Sequence, residues 1–350
     1  MTAGPAGTRH VDPRTDPLWR ELVSSPGGSL FTSPPWLTAV SDTYGFTPAA
    51  RVQLDASGRP RAGFAWTDVD DLRGRRRIAL PFCDRADPIV PDVAAWSAVA
   101  DEALAGDLPL TLRCLDGSPI VDDGRLALTG EAAWHATPLT GGPDDLHAAL
   151  RPQVRRNIAT AERSGVQVVL SDSVGAVREL HTLHVELRKR KYRLLAQPRE
   201  FFDRIWTAFA PSDGVLTALA MVDGRPVAGA MYLVWQDVVY YKFGASRAEF
   251  LPLRPNDAIH WQLIRWAVER GLRVLDWGLS DLDQPGLRHY KAGWAAVERR
   301  IRTFNVGGPP LGRRFDVEEL LSVVTELLTD PDVPDDVTAR GGAALYRYFC

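Results

Sequence analysis

Between residues 34 and 44 the apolar positions Trp36, Leu37, Val40 and Tyr44 recur at helical spacing, behind a Pro34-Pro35 pair that suits a helix start. Three runs then alternate as strands do, over 49–54, 61–67 and 76–82. The short stretch from Asp55 to Gly58 predicts a hairpin turn between the first two. A helix around 92–105 and a strand at 109–114 complete a mixed α/β unit. Gly141, Gly142 and Pro143 mark a boundary, with Asp144 as the expected N-cap of the next helix.

The second half has a sharper pattern. A basic helix over 144–164 closes at Ser164-Gly165 and is followed by a strand at 166–170. Helices at about 173–191 and 198–210 lead to strands at 214–222, 225–235 and 237–246. Asp223-Gly224 predicts a type I′ turn between the first two of these strands. A loop with two prolines then enters a helix over 256–271, with Asn256 as N-cap and Gly271 just past its end, and a strand follows at 272–278. A three-stranded meander feeding a β-α-β unit is a mixed α/β sheet with the layout of the acetyltransferase (GNAT) fold. The first half is a shorter version of the same grammar, so the chain reads as an internal pair. The expected organisation is a disordered 1–14, GNAT-like domains at 15–143 and 144–310, and a helical extension at 311–350 with one helix at 316–329, a Pro/Asp linker and an aromatic tail.

Composition narrows the class. At 350 residues the chain fits two ordinary domains, and 45% hydrophobic with 24% charged residues is a globular balance. A net charge of -3 argues against a dedicated DNA-binding protein. Cys83, Cys114 and Cys350 have no paired spacing, which fits a reducing cytoplasm and gives no zinc site. The first ten residues have no apolar signal region, and no apolar run approaches the roughly 20 residues a membrane span requires. A soluble cytoplasmic protein is expected.

Three segments carry a family resemblance: 154–168 (VRRNIATAERSGVQV), 238–250 (VVYYKFGASRAEF) and 277–294 (WGLSDLDQPGLRHYKAGW), with a fainter match at 81–90 (PFCDRADPIV). Together they resemble the Fem-like peptidyltransferases and the related BioF2-like acetyltransferases of the GNAT superfamily. The resemblance implies tandem GNAT-like domains with a cleft between them, moving an aminoacyl group from charged tRNA, or an acyl group from another activated carrier, onto an amine. The family's aromatic-lysine pair falls on Tyr290-Lys291, with Tyr in place of Phe. It implies that Lys291 stabilises the tetrahedral intermediate or holds the carrier's terminal ribose-phosphate, with Tyr290 packed against the carrier. A fixed cation at a developing oxyanion lowers the barrier by about 2.7–4 kcal/mol. A solvated surface lysine is the plainer account of Lys291. Family members often carry arginine where this chain has Leu279, between Gly278 and Ser280, so Arg288 or Arg247 would have to replace it.

The remaining features separate the possible donors. The glycine-bearing loop that cradles the pyrophosphate of CoA should lie between Ser246 and Asn256, but residues 247–255 contain no glycine. That absence favours aminoacyl-tRNA, although the helix start at Asn256 could hold one phosphate. The run Arg188 to Lys191 either ends a helix on a solvated face or, with Arg155-Arg156 and Arg299-Arg300, meets the phosphates of a tRNA acceptor end. Arg190 falls near an arginine position of the family. On the strand at 237–246, Tyr240 and Tyr241 face opposite sides, and a cleft-facing Tyr241 could relay a proton. Asp84 and Asp87 either orient the acceptor amine or simply form a turn before Pro88. His181 and His184 share a helical face but have no third ligand pattern, and no HExxH, P-loop or GxSxG motif is present.

The expected function is amide formation between an aminoacyl-tRNA and the amine of a small-molecule or peptide acceptor, with no metal or redox cofactor. Lys291 and Tyr241 are the expected catalytic residues; Tyr290, Arg190, Asp84, Asp87, Ser280 and Asn256 are expected to bind substrate. The long charged helical insert of the larger cell-wall enzymes is missing, which prefers a biosynthetic acceptor over a peptidoglycan precursor. An acyl-CoA-dependent N-acyltransferase and a non-catalytic GNAT-like binding module are the alternatives.

Overall fold

The computed structural model describes residues 7–72, 74–105, 108–307 and 315–350. Its strands are β1 Thr8–Val11, β2 Pro48–Leu54, β3 Pro60–Asp71, β4 Gly74–Ile78, β5 Leu110–Leu115, β6 Ala127–Pro138, β7 Gln167–Ser171, β8 Val215–Val222, β9 Arg225–Trp235, β10 Val238–Ser246, β11 Val274–Ser280 and β12 Val297–Val306. Its helices are α1 Pro17–Val23, α2 Pro34–Tyr44, α3 Val93–Leu104, α4 Pro143–Ala149, α5 Pro152–Arg163, α6 Val174–Leu187, α7 Arg199–Phe209, α8 Pro255–Glu269, α9 Pro285–Ala292, α10 Phe315–Leu328 and α11 Asp335–Leu345. The chain forms two compact units: 1–133 with 299–318 and Cys350, and 134–298 with 319–349. The first boundary thus falls inside β6, not at 143/144, and the second inside β12.

In the first unit the strand order is β1-β2-β3-β4-β5-β12. Thr8–Val11 pairs with Ala50–Gln53, so the expected disorder of 1–14 does not hold there: the segment has a sheet edge to complete. Residues 1–6 lie outside the described residues. Trp19, Trp36, Phe64 and Trp96 fill this core. Gly63 on β3 admits α1 closely, since a Cβ there would meet Leu22 at 2.5 Å.

In the second unit the order is β6-β11-β10-β9-β8-β7. The meander β8-β9-β10 is antiparallel as expected, and Asp223 and Gly224 both have positive φ, the requirement of a type I′ turn. β10 and β11 run parallel, with partners only from Val238/Val274 to Tyr240/Asp276. Helices α4, α5 and α8 pack an apolar core on one face, including Leu146, Ile158, Ile259, Leu263 and Trp277. On the other face α6 and α7 place His184 and Phe202 against Phe243 of β10.

Several local expectations change. The single helix at 144–164 is two, because Pro152 removes a backbone donor and starts α5 afresh after an extended Leu150. Gly142, not Asp144, is the N-cap of α4. Helix α8 starts at Pro255 behind a left-handed Arg254, so Asn256 lies inside it and sends Nδ2 toward Ser246 Oγ at 3.4 Å. Segment 248–253 is a 3-10 turn, α11 replaces most of the expected linker and tail, and α1, β6, α9 and β12 have no counterpart in the sequence-based reading.

Candidate active site

The site in the second unit starts where β11 bends. Gly278 has a left-handed φ of 69°, tolerated without a Cβ, and Asp276 Oδ1 accepts from its N–H at 2.7 Å and from Trp134 Nε1 at 2.9 Å. Helix α9 begins on Pro285 and places Lys291 in its last turn, where a cation suits the helix dipole. Lys291 is 4% exposed, and its Nζ donates to the carbonyls of Gly278 (3.1 Å) and Leu279 (2.9 Å). Burying an ammonium costs several kcal/mol unless dipoles or charges compensate it. The two carbonyls and the helix end supply part of that compensation. Next along the strand, Ser280 is 2% exposed and its hydroxyl has no partner.

Behind Lys291 lies His135 of β6, fully buried, with Nε2 3.1 Å from Glu298 Oε2. Arg288 of α9 grips the same carboxylate through Nε (3.1 Å) and Nη2 (2.7 Å). Burial, and then the nearby Lys291 charge, hold the His135 imidazole below its ordinary pKa, with Glu298 opposing them. His135 Nδ1 has no partner.

On the inner side an aromatic cluster surrounds His260 of α8. Tyr232 Oη and His260 Nδ1 share a hydrogen bond of 2.7 Å, and the rings of Trp277 (4.8 Å), Tyr241 (5.0 Å), Trp294 (5.5 Å) and Tyr290 (6.1 Å) stand around the imidazole. Burial lowers His260 to about 3, so it is neutral at physiological pH. Tyr241 is pushed up to about 12, mainly by burial, and is therefore a proton donor at neutral pH, not a base. Its hydroxyl rests on Gly244, where a Cβ would come within 1.9 Å. The β10 pairing shifts between Tyr241 and Phe243, leaving Lys242 as an extra residue; Tyr241 meets α8 while Phe243 meets α6 and α7. The Tyr290 hydroxyl is buried, and burial raises its pKa well above the usual phenol value, followed by the effects of Asp257 and Tyr241, with a hydrogen bond to Trp294 opposing them.

Of the residues singled out in the sequence, Lys291, Tyr290, Ser280 and Tyr241 therefore belong to one region of the second unit. Arg190 is bonded to Asp335 at 3.3 Å, and the run around it holds the C-terminal segment: Lys189 is 3% exposed and donates to Asp335 Oδ1 (2.9 Å) and the Val333 carbonyl, and Arg193 to the Thr329 carbonyl at 2.7 Å. Lys189 is the buried member of the run, while Arg190 stays 66% exposed, as on a solvated helix end. Asp87, in the first unit, accepts from Leu115 N at 2.8 Å and from Arg85, which is turn architecture. Asp84 sits beside it on the same loop. Arg247 and Arg288 are both committed to glutamates, Glu186 and Glu298. His181 and His184 both bond Gln197, and among the described residues no group of ligands could hold a metal. His135, Glu298 and His260 escaped the sequence reading: β6 is rich in alanine and carries no motif.

Comparison with known proteins fits this geometry. Residues 148–292 match the model of an acetyltransferase (GNAT) domain, a stretch that holds α5 through α9 and ends just past Lys291. This stretch belongs to the GNAT acetyltransferases. The GNAT domain thus includes Tyr241, His260, Ser280, Tyr290 and Lys291, while His135 and Glu298 flank it. No curated protein sequence matches the chain. Among solved structures it is similar to FemX, at 15% identity and TM-score 0.70 over 90% of this chain and 100% of that one. It is also similar to a tandem GNAT protein from the clavulanic acid biosynthesis pathway, at 13% identity and TM-score 0.51 over 87% and 99%. A third is the C-terminal domain assigned to a lysylphosphatidylglycerol synthetase of Agrobacterium fabrum, at 13% identity and TM-score 0.50 over 82% and 90%. The fold is mixed α/β with tandem GNAT-like architecture, and the GNAT family places the chemistry in acyl transfer. No helix among the described residues is long and apolar enough to cross a membrane.

Proposed function

We propose that the protein forms an amide by moving an aminoacyl group from aminoacyl-tRNA to the amine of a small-molecule or peptide acceptor. The observation that carries this is the buried ammonium of Lys291, held on the Gly278 and Leu279 carbonyls beside the unpartnered Ser280 hydroxyl. Native proteins rarely leave buried polar atoms unpaired, and a substrate oxygen is a natural partner for this one. The amine attacks the ester carbonyl, the C–N bond forms, and the C–O bond to the ribose breaks. The amine's proton leaves with the ribose hydroxyl. Negative charge on the carbonyl oxygen peaks between these steps, and a fixed ammonium there stabilises it. Tyr241, protonated at neutral pH, would relay the amine's proton, giving its own to the departing oxygen and taking the amine's in return, so that it ends the step protonated. Ser280 and Tyr290 would orient the aminoacyl ester.

Two features favour tRNA over CoA. The segment from Arg247 to Arg254 has no glycine for a pyrophosphate cradle, and the first turn of α8 already carries the buried carboxylate of Asp257, bonded to Asn157 at 3.2 Å. A second anion there would meet like charge. Acyl-CoA remains the second reading, because the matched domain is described as an acetyltransferase.

The test is a donor assay on the full chain, with pooled charged tRNAs or acyl-CoAs, candidate amines, and RNase as control. An RNase-sensitive aminoacyl adduct, followed by mass spectrometry, is the expected product. An RNase-insensitive adduct formed only with acyl-CoA would transfer the protein to the CoA branch. Binding without turnover of any donor would make it a binding module.

A further inference from the structure

His135 is the fully buried ionisable residue next to Lys291 that the proposed chemistry does not use. We propose that His135 is a positioning residue for the acyl-transfer site: uncharged and clamped by Glu298, it fixes α9 so that Lys291 keeps its place, and its protonation disables the site. This rests on the acyl-transfer role of Lys291 proposed above.

The geometry is specific. A carboxylate only accepts, so the 3.1 Å contact from Nε2 to Glu298 puts the imidazole proton on Nε2 and leaves Nδ1 a bare acceptor. Glu298 takes Arg288 through both oxygens. One carboxylate on β12 therefore ties β6 to α9, the helix that carries Tyr290 and Lys291. The charged groups facing the imidazole are Lys291 and Arg288 from α9 and Glu298 from β12. On β11 the carboxylate is Asp276, whose Oδ1 accepts from Trp134 and from the Gly278 N–H. Trp134 and His135 are consecutive in β6 and so point to opposite faces. A proton added at Nδ1 would create a buried N–H with no acceptor and a second positive charge beside Lys291. The Lys291 ammonium would then be pushed off the two carbonyls that hold it.

A merely structural histidine would show no coupling to Lys291 and no effect on the pH profile. The test combines two readouts on the full chain: the nuclear magnetic resonance titration of the His135 ring nitrogens, and kcat and KM against pH in the donor assay. The variants are Lys291→Met, Arg288→Gln and His135→Gln, with unfolding midpoints as a folding control. Wild-type His135 should titrate below its ordinary value near 6.5 and move up in Lys291→Met. His135→Gln keeps an N–H for Glu298 but cannot titrate. It should hold kcat within about threefold at pH 7.5 and erase the acid-side fall in kcat, with KM unchanged. Should His135→Gln fold poorly, Arg288→Gln serves instead: losing that positive charge should move the acid limb to higher pH. An active wild type whose acid limb persists in His135→Gln, or whose limb ignores Arg288→Gln, overturns the proposal alone. So does a His135 titration that ignores Lys291→Met. A wild type inactive with every donor overturns the acyl-transfer reading itself, and the positioning role with it.

Discussion

Two short basic regions of the second unit, residues 188–193 after α6 and helix α9, each bury one lysine to a similar degree, and they use it differently. Lys189 meets a carboxylate, Asp335, and a carbonyl of the same C-terminal segment. Lys291 meets the carbonyls of Gly278 and Leu279, at the strand end where the Ser280 hydroxyl lacks a hydrogen-bond partner. A cation neutralised by a carboxylate holds chain to chain. Lys291, on two carbonyls at the end of β11, stands where the proposed chemistry needs a cation. Within the basic run Arg188, Lys189 and Arg190 tie down neighbouring chain, whereas the lysine on which the proposed chemistry rests stands in a helix of mixed character.

The contrast can be broken by experiment. The largest effect belongs to Lys291→Ala, expected to lower kcat by about 10²–10³ with little change in donor KM. Steady-state kinetics of the donor reaction check it, and full activity would remove Lys291 from the mechanism. Lys189→Met should do the reverse, costing about 1–3 kcal/mol of stability in denaturant unfolding while the folded fraction stays active. If it abolished activity at full stability, the two regions would not differ as described.

A pH series of denaturant unfolding sharpens the comparison on the histidine side. His260 and His184 both sit at about 3 in the folded chain against an ordinary value near 6.5, so below pH 6.5 the unfolded state binds more protons. Stability should be fully present above 6.5 and fall as pH drops toward 3, by up to about 1.4 kcal/mol per pH unit for each histidine. His260→Phe should shallow that slope, and an unchanged slope would contradict the buried neutral state. The smallest effect is Ser280→Ala. Removing an unpartnered buried hydroxyl should leave stability within about 1 kcal/mol of wild type, yet lower kcat measurably if that hydroxyl meets substrate.

What the sequence disclosed follows from strong local signals. The β8–β10 meander, with its Asp223-Gly224 turn, and the α8 pattern closed by Gly271 come from periodicity and turn chemistry, and both stand in the structure. Lys291, Tyr290 and Ser280 came from family likeness and Tyr241 from strand alternation, and all four lie in the second unit. β6 was missed because Ala132, Ala133 and Ala136 are weak strand formers, so His135 could not be placed beside Lys291. The helix through Lys291 was missed because eight residues starting Pro-Gly give little helical period. The partners of Arg190 and Asp87 were not legible for another reason: Asp335 and Leu115 N are distant in sequence and only the fold supplies them.

The extra residue in β10 has a consequence for comparing this chain with its relatives. Lys242 has no place in the ladder, since Tyr241 stands opposite Tyr232 and Phe243 opposite Met231. The five-residue turn of π-helix at Arg188–Tyr192, by contrast, ends α6 and is closed by Arg193 in the left-handed region. The β10 bulge lies in the matched GNAT stretch, upstream of α8 and α9. A homologue without the bulge would bring His260, Ser280 and Lys291 into register only with a gap opened at 242.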